Sequence, residues 1–207
     1  MKTAIRQPKQ SRAIEKKNKI IRAGYELFSE KGYFGSTTPE IAKLAGVSTG
    51  IVYGYFSDKR DILLCVLDIY LKEVSAPIME VLNALSAPVD TEKLIRDLMN
   101  KTIEQHVSHS RLHETLHSLT ASDKDVSDRF LALENHVTRN VTAKLTGLGV
   151  ETDHCAEKVH FSMNAIQSFA HECVFDKHPY IDYDAMYEVV VRAIAGLFDK
   201  PGNRETK

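Results

Sequence analysis

The residues with the most evident chemical potential are nine histidines, all of which lie after Arg60. Four of them recur at intervals of three, four and four residues: His106, His109, His113 and His117. On one continuous helix these imidazoles would share a narrow face, and histidines four residues apart can bind one metal ion. A helix break near residues 108–110 would separate them, and no cysteine lies nearby in the sequence. We therefore expect solvated or core-edge histidines, with no bound metal and no other cofactor.

The sequence carries no signature of catalysis. It contains no Gly-x-Ser-x-Gly, no His-Glu-x-x-His, no phosphate-binding glycine loop and no dinucleotide fingerprint. His171, Glu172 and Cys173 are adjacent, but neighbouring residues on a helix point in different directions and form no dyad. We predict that the protein is not an enzyme.

Charge divides the 207-residue chain into two parts. Residues 1–60 hold 12 Lys/Arg and 5 Asp/Glu, a net charge of +7. Residues 61–207 hold 15 Lys/Arg and 23 Asp/Glu, a net charge of −8. A basic head on an acidic body is typical of proteins whose one end meets a polyanion. Three scattered cysteines, no signal-like apolar segment and no apolar run long enough for a bilayer favour a cytoplasmic protein without a membrane partner.

Helical periodicity dominates the sequence and predicts an all-α fold. We predict a disordered basic arm over residues 1–10, a helical head over 11–57, a helical body over 58–200 and a disordered tail over 201–207. The first helix should run from Ser11 to Lys31, with one apolar face and a following Gly32. The body should hold helices over about 58–75, 90–107, 109–119, 123–145, 152–178 and 183–198, the first of them ended or kinked by Pro77.

Two short helices joined by Ala45-Gly46-Val47-Ser48 form a candidate helix-turn-helix. Thr38 suits an N-cap before Pro39, Gly46 suits the turn, and Ser48 suits the N-cap of the second helix. In such a motif the first helix crosses the DNA backbone and the second enters the major groove. Thr49, Gly50, Ile51, Tyr53 and Tyr55 are then left nearer the outer face.

The segment Thr37 to Lys59, and above all its Tyr53-x-Tyr55-Phe56-x-x-Lys59 signature after the Gly-Val-Ser turn, resembles the DNA-binding head of the TetR family of bacterial transcriptional repressors. The resemblance covers about residues 15–70. It implies a three-helix helix-turn-helix domain followed by a larger helical domain for ligand binding and dimerisation.

The resemblance also implies roles for individual residues. Thr38, as the cap of the second helix, and Lys59 would bind phosphates, and Tyr53 and Tyr55 would reach the DNA backbone. Ser48, Thr49, Gly50 and Ile51 would face base edges, with Ile51 against a thymine methyl. Gly54 should weaken the recognition helix, and no Arg, Asn or Gln lies on its outer face. DNA shape and the basic arm, with Lys2, Arg6, Lys9 and Arg12, would therefore contribute to binding. We interpret the charge run of Lys16, Lys17 and Lys19 as a solvated face.

In the body, the resemblance implies a homodimer through the last two helices. The apolar stripe Met186–Leu197 and the face formed by Val159, Met163, Ile166, Ala170 and Cys173 suit that role, although part of each must be intramolecular core. The candidate ligand-pocket residues are His113, His117, His136, Asn140, Met163, Gln167 and His171. Polar groups at ordinary helix contacts are the alternative interpretation of each.

We thus predict a TetR-like DNA-binding regulator, a repressor released from a palindromic operator by a small-molecule effector. The alternative is a helical ligand-binding or metal-sensing dimer without sequence-specific DNA binding.

Overall fold

The computed structural model describes residues 7–150 and 152–199. In these ranges the chain is all-helical, without a strand. The helices are α1 (Gln7–Lys31), α2 (Thr38–Leu44), α3 (Thr49–Tyr53), α4 (Lys59–Ala84), α5 (Thr91–Ser108), α6 (Ser110–Leu119), α7 (Lys124–Gly147), α8 (Cys155–Phe175) and α9 (Tyr183–Ala195). The predicted break between α5 and α6 is confirmed at His109.

Among the helix boundaries that differ from the sequence predictions, those of α1, α3 and α4 bear most on the head. α1 begins at Gln7, so residues 7–10 are helical rather than part of an arm, whereas residues 1–6 and the predicted tail 201–207 lie outside the described residues. α4 continues through Pro77 to Ala84 and does not end before it. α3 ends at Tyr53, three residues before the predicted Phe56, because Gly54 forms its C-cap. Gly54 therefore does not weaken the interior of the recognition helix.

The chain forms two compact units whose boundary differs from the simple division at residue 57. The first unit comprises the residues up to Leu71 together with Arg111–Arg129, and the second comprises Lys72–Ser110 together with the residues from Phe130 onward. α4 and α7 each contribute residues to both units.

The first unit is built around the apolar face of α1. Ile20, Ala23, Leu27 and Phe28 are buried, as the periodicity predicted. Gly24 is needed where α1 and α4 approach closely, since a Cβ there would lie 2.6 Å from Ile62 Cγ2. The side chains of α6 and the start of α7 complete this core with Leu112, Leu116, Leu119 and Val126.

Ion pairs join α4 to the later segment of the first unit. The Arg60 guanidinium donates to Asp123 Oδ2 and Oδ1 at 2.7 Å each, and to Asp125 Oδ2 at 2.7 Å. Arg129 donates to the Leu64 carbonyl and pairs with Asp68. Hydrogen bonds from Arg60 hold the pKa of Asp123 below its usual range. The head is therefore tied to residues more than sixty positions later in the chain.

The second unit packs α5 against α8 and α9. Its hydrophobic core draws on α4, α5, α7, α8 and α9 and contains Leu82, Leu94, Ile95, Leu98, Met99, Val137, Val141, Leu145, Val159, Ile166, Phe169, Val191, Ile194 and Phe198. Arg96 of α5 donates to both Glu188 oxygens of α9, at 2.6 and 2.7 Å. In the described ranges no helix is long and apolar enough to cross a membrane.

Candidate nucleic-acid interface

A sharp turn sets α3 against α2. Gly46 adopts φ +68°, the left-handed region that glycine enters without steric cost, as the sequence predicted. The Gly46 amide donates to Lys43 O at 3.2 Å and the Val47 amide donates to Ala42 O at 3.0 Å, which closes the end of α2. Ile41, Ala42, Val52 and Phe56 are buried beneath the turn and hold the two helices together.

Both short helices are capped, but the cap of α2 lies one residue earlier than predicted. Thr37 is its N-cap, and the Thr37 Oγ1 accepts the Glu40 amide while Glu40 Oε2 accepts the Thr37 amide at 2.9 Å. Thr38 is instead the first helical residue, and only 9% of it is exposed. Its predicted role as the cap is wrong, and burial argues against a phosphate contact by its hydroxyl. Ser48 caps α3 as predicted, accepting the Ile51 amide at 3.4 Å.

The outer face of α3 carries the predicted DNA-contacting side chains. Ser48, Gly50 and Tyr53 are exposed, and Tyr53 is the most prominent, with 55% of its surface accessible. Thr49, Ile51 and Tyr55 are half-buried. In the described ranges neither the Tyr53 hydroxyl nor the Tyr55 hydroxyl has a hydrogen-bond partner. Both hydroxyls are therefore available to an external acceptor. Half-exposed apolar and aromatic groups on a capped five-residue helix suit contact with base edges and sugar-phosphate.

Lys59 occupies a position that the sequence did not predict. Its ammonium donates to the Tyr33 carbonyl at 2.6 Å and the Ser36 carbonyl at 2.7 Å, and it lies 4.2 Å from the centroid of the Tyr33 ring. Burial lowers the pKa of Lys59. The predicted phosphate ligand is thus engaged with the loop between α1 and α2, which we call the Lys59 clamp.

The loop held by the Lys59 clamp leads directly into the cap of α2. Ser36 is 2% exposed, and its hydroxyl donates to Gly32 O at 2.7 Å. Glu40 also accepts from Lys31 at 2.7 Å, so the end of α1 is joined to the first turn of α2. The start of α2 is therefore fixed by α1, by the loop and by α4 together.

We expect acid to weaken this junction through Glu40. Its pKa is lowered to about 2, first by the hydrogen bond from Lys31 and then by Thr37. A lowered folded-state pKa means that the contribution to stability is complete above the unfolded pKa near 4.5 and is lost as pH falls toward 2. Urea midpoints of the wild type and Glu40→Gln should differ at pH 7 and converge between pH 4.5 and 2. A difference that is independent of pH would contradict this assignment.

The histidine-rich segment does not form a single face. His113 is buried with Nδ1 2.6 Å from Tyr70 Oη, and the exposed His117 has its ring centroid 4.2 Å away. Both belong to the first unit, whereas His106 and His109 belong to the second. His106 Nδ1 donates to Thr102 O at 2.9 Å, and burial lowers the pKa of His106. For the described parts of the chain, no group of three potential metal-ligating side chains is placed to hold an ion.

The seven predicted pocket residues are not brought together within either unit. In the second unit His136 is exposed and lies 2.8 Å from Asn140 Nδ2, and Met163 Sδ accepts from Thr138. Gln167 is exposed, and the half-buried His171 lies beside His106 with ring centroids 6.3 Å apart. The open groove between α7 and α8, of about 480 Å³, is lined by other residues: Asn135, Thr138, Ala156, Glu157, His160, Phe161 and Asn164. The predicted ligand pocket stays a prediction.

Sequence reasoning missed Thr37, Glu40 and the role of Lys59. The capping role of Thr37 and Glu40 could be predicted, because Thr37-x-x-Glu40 is a capping-box pattern. The partners of Lys59 are backbone carbonyls 23 and 26 residues away, and no local pattern indicates them.

The head is similar in sequence to known bacterial regulatory proteins. The family model "Bacterial regulatory proteins, tetR family" matches residues 20–66. The HTH-type transcriptional regulator HbdR of Aromatoleum sp. (strain CIB) is 42% identical over 76 residues, which are 37% of this chain and 33% of that protein. The HTH-type transcriptional regulator AcrR of Shigella flexneri is 30% identical over 99 residues, 48% of this chain and 45% of AcrR. The matches thus span less than half the length of either relative.

The likeness in fold extends over most of the chain. The solved structure of a TetR-family transcriptional regulator from Mesorhizobium loti MAFF303099 superposes with a TM-score of 0.71 at 22% identity, and the alignment covers 90% of this chain and 96% of that one. At this identity the match concerns the fold alone. A helical head followed by a larger helical body is common to both proteins.

Proposed function

The chain belongs to the TetR family of bacterial regulatory proteins, and from this premise we propose that it is a sequence-specific DNA-binding regulator of transcription. The observation that carries the proposal is the short, capped α3, which is set against α2 by the Gly46 turn and leaves Ser48, Gly50 and Tyr53 exposed. A helix supported from behind and exposed in front is what the major groove accepts.

In this proposal the outer face of α3 contacts both the bases and the phosphate backbone of the DNA. Thr49, Gly50 and Ile51 lie at the first turn of the helix and face base edges, with Ile51 against thymine methyls. Tyr53 and Tyr55 donate their hydroxyls to phosphates, which fixes register and not sequence. Ser48 uses its hydroxyl to cap α3, and its exposed position leaves it beside the same groove.

We further propose a homodimer through α8 and α9, with a different face of α8 from the one the sequence favoured and with Val189 of the predicted α9 stripe. Val159, Ile166 and Ala170 are buried in the core of their own unit, so they do not serve a partner. Phe161 and Val189 are instead 61% and 65% exposed on these neighbouring helices. Ala165 and Ser168 share the face of Phe161 by helical spacing, and small residues let helices approach closely. Two heads would then read two half-sites of a palindromic operator.

The regulatory direction follows from the family. We propose a repressor whose DNA affinity falls when a small-molecule effector binds the helical body. The coupling free energy must be reciprocal, so operator DNA would weaken effector binding by the same factor.

Selection of binding sites from random duplex DNA at near-physiological salt tests the proposal, because such affinity depends steeply on salt. We expect a two-fold symmetric motif. Ile51→Ala should relax the preference for thymine within it, at a cost of about 1 kcal/mol in discrimination, because each buried methylene contributes about 0.8 kcal/mol. Leu44→Ala provides a matched control, since Leu44 is an exposed apolar residue of α2 outside the recognition helix. Recovery of no motif by folded protein would contradict the proposed function.

A further inference from the structure

The first helix extends well beyond the core that it serves. α1 begins at Gln7, yet none of residues 12–19 is buried, and burial begins at Ile20 within residues 12–31 of the helix. Residues 7–19 correspond to about 20 Å of helix at 1.5 Å per residue. We call this segment, residues 7–19, the α1 extension. Packing of the described side chains does not explain why it is helical.

The α1 extension is strongly basic on one face. Residues 7–19 contain five basic residues and one acidic residue: Lys9, Arg12, Lys16, Lys17 and Lys19, with Glu15. Residues 12, 16 and 19 follow at intervals of four and three, which places them on one side of the helix. Arg12, Lys16 and Lys19 are exposed. Lys19 pairs with Glu15 at 3.2 Å, and in the described part of the chain Arg12 and Lys16 have no acidic partner.

The base of the α1 extension lies beside the recognition helix. The Lys17 ammonium lies 5.6 Å from the centroid of the Phe56 ring, and Phe56 follows α3 by three residues. The C-terminal end of the α1 extension therefore lies close to the end of α3, the helix that we propose enters the major groove. A helix that is polar all round is marginal without a partner, and repulsion between like charges four residues apart lowers its stability further.

We infer that the face formed by Arg12, Lys16 and Lys19 binds phosphates of the DNA duplex that flank the half-site contacted by α3. The inference rests on the proposed function and extends its contact surface. Charge complementarity selects the occupant, because a phosphate backbone both neutralises the like charges and releases counterions. A lipid surface would require apolar anchors, and Ile14 is the only large apolar side chain of residues 12–19.

The test measures DNA affinity as a function of salt for the full chain and for the triple variant Arg12→Gln, Lys16→Gln and Lys19→Gln. Glutamine has a helix propensity close to that of lysine and arginine, and circular dichroism checks that helix content is kept. Each lost phosphate contact lowers the slope of log Kd against log salt by about 0.9, so we expect a decrease of about 2–3 for each bound head. Affinity should fall about tenfold or more on selected and random duplexes alike.

A control variant separates this surface from total charge. The variant Lys72→Gln, Arg139→Gln and Lys144→Gln removes the same charge from the second unit and should leave the slope unchanged. A triple variant of the extension that keeps the wild-type slope would overturn the inference, as would a loss confined to binding of anionic lipid vesicles. Failure of the wild type itself to select any DNA would instead overturn the proposed function.

Discussion

Lys59→Met should lower both DNA affinity and stability while leaving the salt dependence of DNA binding unchanged. The Lys59 ammonium donates hydrogen bonds to the carbonyls of Tyr33 and Ser36, and methionine has no donor group to replace them. Loss of a donor to part-buried carbonyls costs about 1–3 kcal/mol, so the free energy of unfolding should fall by about that amount. The loop that positions the Thr37 cap is then released, and we expect DNA affinity to fall about tenfold or more, because the start of α2 loses its fixed position.

Salt dependence distinguishes this positioning role from the phosphate contact that the resemblance implies. A phosphate ligand contributes about one to the slope of log Kd against log salt, whereas a positioning residue contributes nothing. Lys43→Met is a suitable control, since Lys43 is an exposed lysine of α2. If Lys59→Met reduced the slope by about one and left the urea midpoint at its wild-type value, Lys59 would be a phosphate ligand. The Lys59 clamp would then contribute nothing to the stability of the head.

Val189→Asp should convert the proposed dimer to monomers and thereby remove most operator binding. Val189 is 65% exposed on α9, and in a two-fold symmetric interface the substitution would place a carboxylate on each side of the contact. Burial of an unpaired charge costs several kcal/mol, so the dimer dissociation constant should rise about 100-fold or more. Without linked heads the second half-site no longer binds at high effective concentration, and operator affinity should fall by about two orders of magnitude.

Leu131→Asp is the matched control for this experiment. Leu131 is 53% exposed on α7, so the same chemical change is made at a similar apolar surface position of the same unit. Sedimentation equilibrium should report wild-type association for Leu131→Asp and monomers for Val189→Asp. Unchanged association of Val189→Asp, with Phe161→Asp also dimeric, would remove α8 and α9 from the interface.

The sequence predicted those features of the head that local chemistry determines. The apolar face of α1, the turn at Gly46 and the cap at Ser48 depend on spacing and on backbone preference, and all three are confirmed. The cap of α2 was placed one residue late, because Thr37 and Thr38 are both suitable and only the reciprocal bond with Glu40 distinguishes them.

Features that depend on distant contacts could not be predicted. The partners of Lys59 are backbone carbonyls, and every residue type has one, so no sequence pattern indicates them. The apolar residues of α8 did not reveal which neighbour they meet, and the structure places Val159, Ile166 and Ala170 in the core of their own unit. The packing of α6 with the head was missed for the same reason, since its amphipathic pattern fits any apolar surface.

The discontinuity of the first unit has a consequence for the order of events on the ribosome. Arg60 reaches partners 63 and 65 residues later, and Tyr70 contacts His113, 43 residues later. When residue 71 has just emerged, the face of α4 that α6 covers has no α6 to pack against, and it stays uncovered until Leu119, the last residue of α6, has also been synthesised. At about 5–20 residues per second this interval lasts several seconds, which is long compared with the folding of small helical domains. The nascent head therefore depends on translation speed, and slow codons within the α5 segment would prolong its exposure to chaperones and proteases.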